Sequence, residues 1–291
     1  MRDGEATLAG EGDPTCVSLW RWPITRVVSG CLTAVSFTKV RMAMSTLEAF
    51  QTVRREPPAG GYPYPEKYVA FVDMLGFKYL VETADASAEM REALAKIVGV
   101  FRSTIGSHEQ LGSRVTHFSD CMIVSADRSE QGLWALLQGC TWLALNLIQY
   151  PVLLRGGVAV GHITHEPDVV FGLGVNRAYA FEKSGSPPRI GLGPEVVSDI
   201  ERSTLLSAAG FLTQDHQTGE PMLHFLREIE GYDAVPRAGG IVWDRTAAGI
   251  AEKIRLNVEY ADQPTEVRAK YVWLREYWNR AVARMSILPQ A

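Results

Sequence analysis

Cysteine is scarce and unpatterned. The four cysteines, Cys16, Cys31, Cys121 and Cys140, never fall at C-x-x-C spacing, which argues against a disulfide framework or a zinc site; a reducing cytoplasm is the expected compartment. No long basic run exists, and 29 Lys and Arg stand against 33 Asp and Glu for a net charge of −4. Non-specific nucleic-acid binding needs a positive face, so that balance argues against a nucleic-acid partner. Long apolar runs are missing too. The least polar stretch, Val27 to Thr38, has 12 residues, where a bilayer span needs about 20, so no direct membrane insertion is expected; a signal peptide is an open alternative, against which stand the stretch's Ser/Thr dilution and the lack of a convincing small-x-small cleavage site. Internal repeats and low-complexity tracts are also lacking. What is there is a globular balance, 46% hydrophobic, 21% charged and 9% aromatic over 291 residues. Such a composition excludes a disordered or collagen-like chain. An acidic protein of this kind can bind a phosphorylated ligand where metal ions supply the positive charge.

Residues 1–43 show no period of 2 or 3.6 and read as a disordered extension, or as a start placed too early with Met42 or Met44 as the true one. Residues 44–67, with Pro57-Pro58 and Gly60-Gly61, read as a linker or N-terminal segment. The regular pattern begins at Tyr68. Tyr68-Val-Ala-Phe-Val72 is a buried strand ending in Asp73 and a Gly-containing turn. Met90, Leu94, Ile97, Val98, Phe101 and Ile105 recur at helical steps. Arg114–Phe118 and Met122–Ser125 form two strands around Ser119-Asp120-Cys121, a tight hairpin. A second helix carries Leu133, Leu136, Leu137, Cys140, Ala144 and Leu147 and stops at Pro151; a glycine-bearing apolar strand runs from Leu153 to Gly161. The order β-α-β-β-α-β predicts an α+β, ferredoxin-like fold with both helices on one face of an antiparallel sheet. It spans residues 68–192, a helix through Asn176–Glu182 and a strand near Arg189–Leu192 included. Residues 193–291 are expected as C-terminal strands and helices packed on the same domain, with helices over 245–283 broken around Pro264.

In such a fold the end of the first strand and the hairpin tip meet at one rim, which brings Asp73 and Asp120 together. Two carboxylates there repel unless a cation lies between them. Mg²⁺ takes one or two protein carboxylates plus substrate phosphates, and the backbone carbonyl of Met74 is a natural further ligand. The turn Leu75-Gly76-Phe77 exposes amide N–H groups, and Gly76 lets a phosphate chain approach. The set suits two-metal phosphoryl or nucleotidyl transfer. The bland alternative has Asp73 capping a helix and Asp120 in an Asx turn.

Four blocks resemble a family. Phe71-Val-Asp73-Met-Leu-Gly-Phe77 is similar to the F-x-D-[IM]-x-G-F opening of class III nucleotidyl cyclases, and Phe118-Ser-Asp120-Cys-Met-Ile-Val resembles their second metal-aspartate hairpin, where Gly-Asp is more usual. Leu154-Arg-Gly-Gly-Val-Ala-Val-Gly161 resembles their R-x-G-[IV]-x-x-G strand, and Val170–Asn176 resembles the V-x-G-x-x-V-N entry to their catalytic helix. In detail the blocks look most like the bacterial pyrimidine cyclases of the Pycsar anti-phage system. The resemblance implies a cyclase domain fold with added C-terminal helices. It implies conversion of UTP or CTP to the 3′,5′-cyclic monophosphate with release of pyrophosphate, two Mn²⁺ or Mg²⁺ ions per site, a homodimer with shared active sites and a separate cyclic-nucleotide-gated effector. Asp73, Asp120 and Asn176 become the expected catalytic residues, Asn176 reaching the ribose from the partner protomer. Phe71, Leu75, Gly76, Phe77, Arg114, Thr116 and Arg177 become the expected substrate contacts. UTP is preferred, with Arg114, Thr116 and Tyr68 as base readers.

Two departures stand out. The family's Arg four residues after the Asn is Ala180 here, leaving Arg177, Arg155 and Arg189 as candidate replacements. Its purine-selecting Lys is Thr116. A cytidylate cyclase, or a cyclase-like nucleotide sensor without turnover, is therefore the alternative. A diguanylate-cyclase or polymerase-palm relative is a weaker one, since no G-G-[DE]-E-F hairpin occurs. His117, His162, His165 and His216 lack metal-ligand spacing and read as structural. Ser113, Ser119 and Cys121 have no adjacent base, and Trp134, Trp142, Trp273 and Trp278 read as core or dimer contacts.

Overall fold

A strand ten residues long, alternating between two buried faces, organises the molecule. In the computed structural model, which describes residues 61–110, 113–184, 187–230, 243–260, 262–283 and 290, this strand is β1 (Glu66–Leu75). The expected extension over residues 1–43 lies outside the described residues. So does most of the segment 44–67, but its end is corrected: β1 already begins at Glu66. The residues just before it are also held. Pro65 O accepts from the Ile163 amide at 3.0 Å, Pro63 O accepts from the Thr164 hydroxyl at 2.8 Å, and the Tyr64 ring stacks on His162.

After β1 come α1 (Phe77–Ala86) and α2 (Ala88–Gln110), a pair broken at Ser87, whose extended backbone ends the first helix. The strands β2 (Arg114–Phe118) and β3 (Cys121–Asp127), the helix α3 (Glu130–Ile148) and the strand β4 (Leu153–His162) complete the β-α-β-β-α-β order. α3 starts where the Ser129 side chain accepts from the Gly132 amide, a normal N-cap. A small hairpin, β5 (Thr164–Glu166) and β6 (Val169–Phe171), precedes α4 (Leu173–Ser184). β7 (Ile190–Leu192), α5 (Pro194–Arg202), α6 (Thr204–Ala208), β8 (Leu212–Gln214), β9 (Pro221–Leu223), α7 (Arg227–Glu230), α8 (Trp243–Glu259) and α9 (Thr265–Val282) follow. The last two helices flank Pro264, as the sequence pattern predicts.

The sheet order is β2-β3-β1-β4-β7-β9-β8. Its first four strands are antiparallel neighbours in the ferredoxin-like order. β7 then joins parallel to β4, and β9 and β8 prolong the sheet. Period-2 alternation sorts the β1 side chains. Tyr68, Ala70, Val72 and Met74 enter the main core with Ile97, Phe101, Leu133, Leu136 and Leu137 of α2 and α3. Val69 faces the other way, against Ala159, Ile163 and Ala178, with Phe71, Ile123, Val175 and Phe181 at the edge of that smaller cluster. α4 covers only part of this second face, and the functional candidates lie on it.

Candidate active site

Register places Asp73. It pairs with Cys121 on β3 and with Arg155 on β4, so it projects on the α4 face at the end of β1. Asp120 sits beside it in the tip between β2 and β3, where its carbonyl accepts from the Met74 amide at 2.9 Å. The two acids that the sequence separates by 47 positions thus meet at one rim. The hairpin tip is Ser119-Asp120, flanked by the pair Phe118–Cys121. Ser119 has φ +55°, a left-handed conformation that favours glycine at the first central residue of such a turn. Ser119→Gly is expected to stabilise the protein by about 1 kcal/mol by removing this strain, read as a higher urea midpoint at unchanged m-value.

Asp73 is mostly desolvated. Burial, the Asp120 charge and the nearby Glu182 push its carboxyl up to about 6, and Arg155 only partly offsets them. The Arg155 guanidinium donates to Asp73 Oδ2 at 3.2–3.3 Å and also pairs with Glu182 of α4. Burial, then the Asp120 and Asp73 charges, push the Cys121 thiol up to about 11, so it stays protonated at neutral pH, which argues against a nucleophilic role. Next to the acids, Gly76 adopts φ +81° as the N-cap of α1, with open space where a Cβ would stand and no side chain capping the helix. An uncapped helix start offers backbone N–H groups to an anion.

The other expected residues divide. Phe71, Thr116 and Arg114 share the α4 face with Asp73, through the register Thr116–Ile123–Phe71 and Arg114–Ser125–Val69. Phe71 packs edge-on against Tyr179 of α4. Leu75 and Phe77 flank Gly76, half-buried. Arg114 is engaged by Glu166 at 2.6 Å and by the His165 carbonyl at 2.7 Å. Asn176 lies exposed on the outer side of α4, away from the aspartates of its own chain, and Arg177 donates to the Val160 carbonyl at 2.9 Å. Two expectations are corrected. Tyr68 points into the main core at the opposite end of β1, its hydroxyl 2.8 Å from Asp199 Oδ2, because strand alternation puts it on the face opposite Thr116. Arg189 is 8% exposed and held by Asp215, Thr218 and Glu220, so its guanidinium is committed to a structural ion-pair cluster.

Sequence reasoning missed Glu182, Tyr179 and His165. Arg155 gave a signal for the first, since a half-buried guanidinium needs a carboxylate partner. His165 gave none.

Among the described residues no three His, Cys, Asp or Glu side chains cluster as a ready-made cation cage. Two neighbouring carboxylates, one with its pKa raised to about 6 by burial and then by the other, are nonetheless the donor set that suits Mg²⁺ or Mn²⁺ completed by phosphate oxygens. An α+β sheet with a pair of rim aspartates beside an anion-accepting helix start defines a candidate site for phosphoryl-group chemistry. No helix among the described residues is long and apolar enough to cross a membrane.

No family model and no curated protein matches the chain. Among solved structures it is similar to the adenylyl cyclase CyaB from P. aeruginosa, at 14% identity over 55% of this chain and 93% of that one, with a TM-score of 0.41. It is similar also to the guanylyl cyclase Cya2, at 14% identity over 56% and 91% with a TM-score of 0.38. A third is a class III adenylyl cyclase-like ATP-binding protein from Pseudomonas aeruginosa, at 10% identity over 57% and 48% with a TM-score of 0.39. The ferredoxin-like assignment rests on the strand order itself.

Proposed function

We propose that this chain is a nucleotidyl cyclase that converts UTP to 3′,5′-cyclic UMP and pyrophosphate, as a homodimer whose product gates a separate anti-phage effector. The observation that carries the reading is the meeting of Asp73 and Asp120 at one sheet rim, beside the open helix start at Gly76. In the reaction the ribose 3′ oxygen loses its proton to solvent and forms a bond to the α-phosphorus, while the bond from that phosphorus to the α,β-bridging oxygen breaks and the oxygen leaves with pyrophosphate. Asp73, Asp120 and the Met74 carbonyl would hold two divalent ions, which when bound acidify the 3′ hydroxyl and neutralise charge on the leaving group. Leu75, Gly76 and Phe77 supply the backbone cradle for the phosphates, Phe71 an apolar wall, and Asn176 of the partner protomer the ribose contact. Arg155 keeps Asp73 aimed at the rim.

Purified protein with Mn²⁺ and each of UTP, CTP, ATP and GTP, analysed by mass spectrometry, is expected to yield cyclic UMP and pyrophosphate. A folded protein that forms no cyclic product from any of the four overturns the reading. One observation favours a second reading, a sensor that binds the triphosphate without turnover. Position 180 is alanine, and the three other arginines are each engaged, Arg155 by two carboxylates, Arg177 by a backbone carbonyl and Arg189 by a buried acid. Tight triphosphate binding without pyrophosphate release distinguishes it.

A further inference from the structure

β5 lays one histidine across β2 and β3. The His165 ring is buried, with Nδ1 2.8 Å from the Ser125 hydroxyl and Nε2 2.9 Å from the Thr116 hydroxyl. Burial, then the charges of Arg114 and Lys67, drive its pKa down to about 4, so the ring is neutral at pH 7. A neutral imidazole has one donor and one acceptor nitrogen, and each neighbouring hydroxyl must match. Ser125 settles which is which. It is 1% exposed, and His165 Nδ1 is its single side-chain partner among the described residues. A buried hydroxyl proton without an acceptor is costly; Ser125 therefore donates to Nδ1, and Nε2 carries the ring proton and donates to Thr116. The Thr116 oxygen is thereby occupied as an acceptor, and its own proton is directed outward, onto the half-exposed α4 face.

We infer that Ser125 and His165 act as positioning residues that make Thr116 a hydrogen-bond donor for the pyrimidine base, selecting the O4 carbonyl of uracil against the amino group of cytosine. The inference rests on the cyclase reading above. The placement suits it: Thr116 lies two strands across and two residues along from Asp73, about 12 Å between Cα atoms. A nucleoside triphosphate spans that interval between phosphates and base. Ile123 and Phe71 continue the row of Thr116 across the sheet, an apolar floor with the Thr116 hydroxyl at its end. Uracil presents an acceptor at its 4 position where cytosine presents a donor, and a site that donates one hydrogen bond rejects the mismatched group strongly.

The test has two arms on the full-length chain. In the first, the ratio of kcat/KM for UTP over CTP is measured in the wild type, Thr116→Val, Thr116→Ser and Ser125→Ala. The wild type is expected to favour UTP. Thr116→Val and Ser125→Ala are expected to lower the ratio about tenfold or more, mainly through KM for UTP, while Thr116→Ser keeps it within twofold of the wild type. A role confined to pinning β5 would instead change both nucleotides equally. In the second arm, ¹⁵N chemical shifts of the His165 ring, assigned by comparison with His165→Gln, are expected to show a protonated Nε2 and a bare Nδ1. A wild-type preference for CTP, a ratio unmoved in both Thr116→Val and Ser125→Ala, or a protonated Nδ1 overturns the inference. A protein inactive on every nucleotide fails the functional reading instead, and the ring shifts still decide the relay because they are read without turnover.

Discussion

Asp73→Asn is expected to lower cyclic-nucleotide formation by about a thousandfold or more while leaving the fold as stable as before, or more so, at neutral pH. The activity loss follows from removing one of two rim carboxylates: cation assistance contributes several kcal/mol, and each 1.36 kcal/mol is tenfold in rate. The stability effect has the opposite sign and the same origin. Burial comes first, and the Asp120 and Glu182 charges add to it, so ionised Asp73 is disfavoured in the folded chain. Its folded pKa of about 6 lies above the reference value of 3.8. The folded state therefore holds the proton more tightly than the unfolded one, and this contribution is present in full below pH 3.8 and lost as pH rises through 6. At pH 7.5 the wild type carries the whole penalty, a few kcal/mol at most, and the amide does not. Arg155 keeps Glu182 as a partner in the variant. Thermal melts of both proteins between pH 4 and 8, without divalent cation, should show the variant's advantage growing through that interval. A variant that melts well below the wild type at pH 7.5 would mean that the Arg155 pair, rather than the repulsion, dominates at Asp73.

The readable parts of the molecule were those with a period or a punctuation mark. Tyr68–Val72 is legible because both faces of a central strand are buried, and α3 because Leu133, Leu136, Leu137 and Cys140 repeat at helical steps. The Ser119-Asp120 turn was readable from the strands on either side. The sheet's extension was not: β7, β8 and β9 have three residues each, too few to show alternation. The break between α1 and α2 at Ser87 was hidden for a similar reason, since an amphipathic stripe runs on either side of it. At the site, Asp73 and Asp120 were legible because strand order brings strand ends together. The arginines were not, because their roles depend on register and on which carboxylates lie within reach. Arg155 meets Asp73 through an antiparallel pairing 82 residues apart in sequence, and Arg189 meets Asp215 inside an extension with no visible pattern. His165 is the clearest case, a residue of a three-residue strand whose two ring partners come from β2 and β3.

Gly161→Val should produce a large structural loss, and it tests why the glycine-rich strand β4 has its composition. α4 crosses β4 at a point where two backbones nearly touch. A Cβ at Gly161 would stand 2.6 Å from both Cα and N of Gly174. Neither is the end of a side chain that could swing away, so the helix must lift from the sheet. Gly174 closes the contact from the other side, where a Cβ would meet Val69 Cγ2 at 2.7 Å. Lifting α4 uncovers Val69, Ala159, Ile163 and Ala178, the whole of the smaller core, and takes Tyr179 from Phe71 and Glu182 from Arg155. Overpacking alone costs about 1–3 kcal/mol, and the lost cluster adds to it. Gly161→Val is therefore expected to lower the urea midpoint sharply and to open α4 to limited proteolysis. A matched control separates steric conflict from the general effect of replacing glycine. Gly99 lies within α2, and a Cβ added there would meet nothing within 4 Å among the described residues, so Gly99→Ala should stabilise the protein by about 0.5–1 kcal/mol. Wild-type stability and protease resistance in Gly161→Val would show that α4 does not rest on β4 through these two glycines, and with it would go the link between the smaller core and the geometry around Asp73.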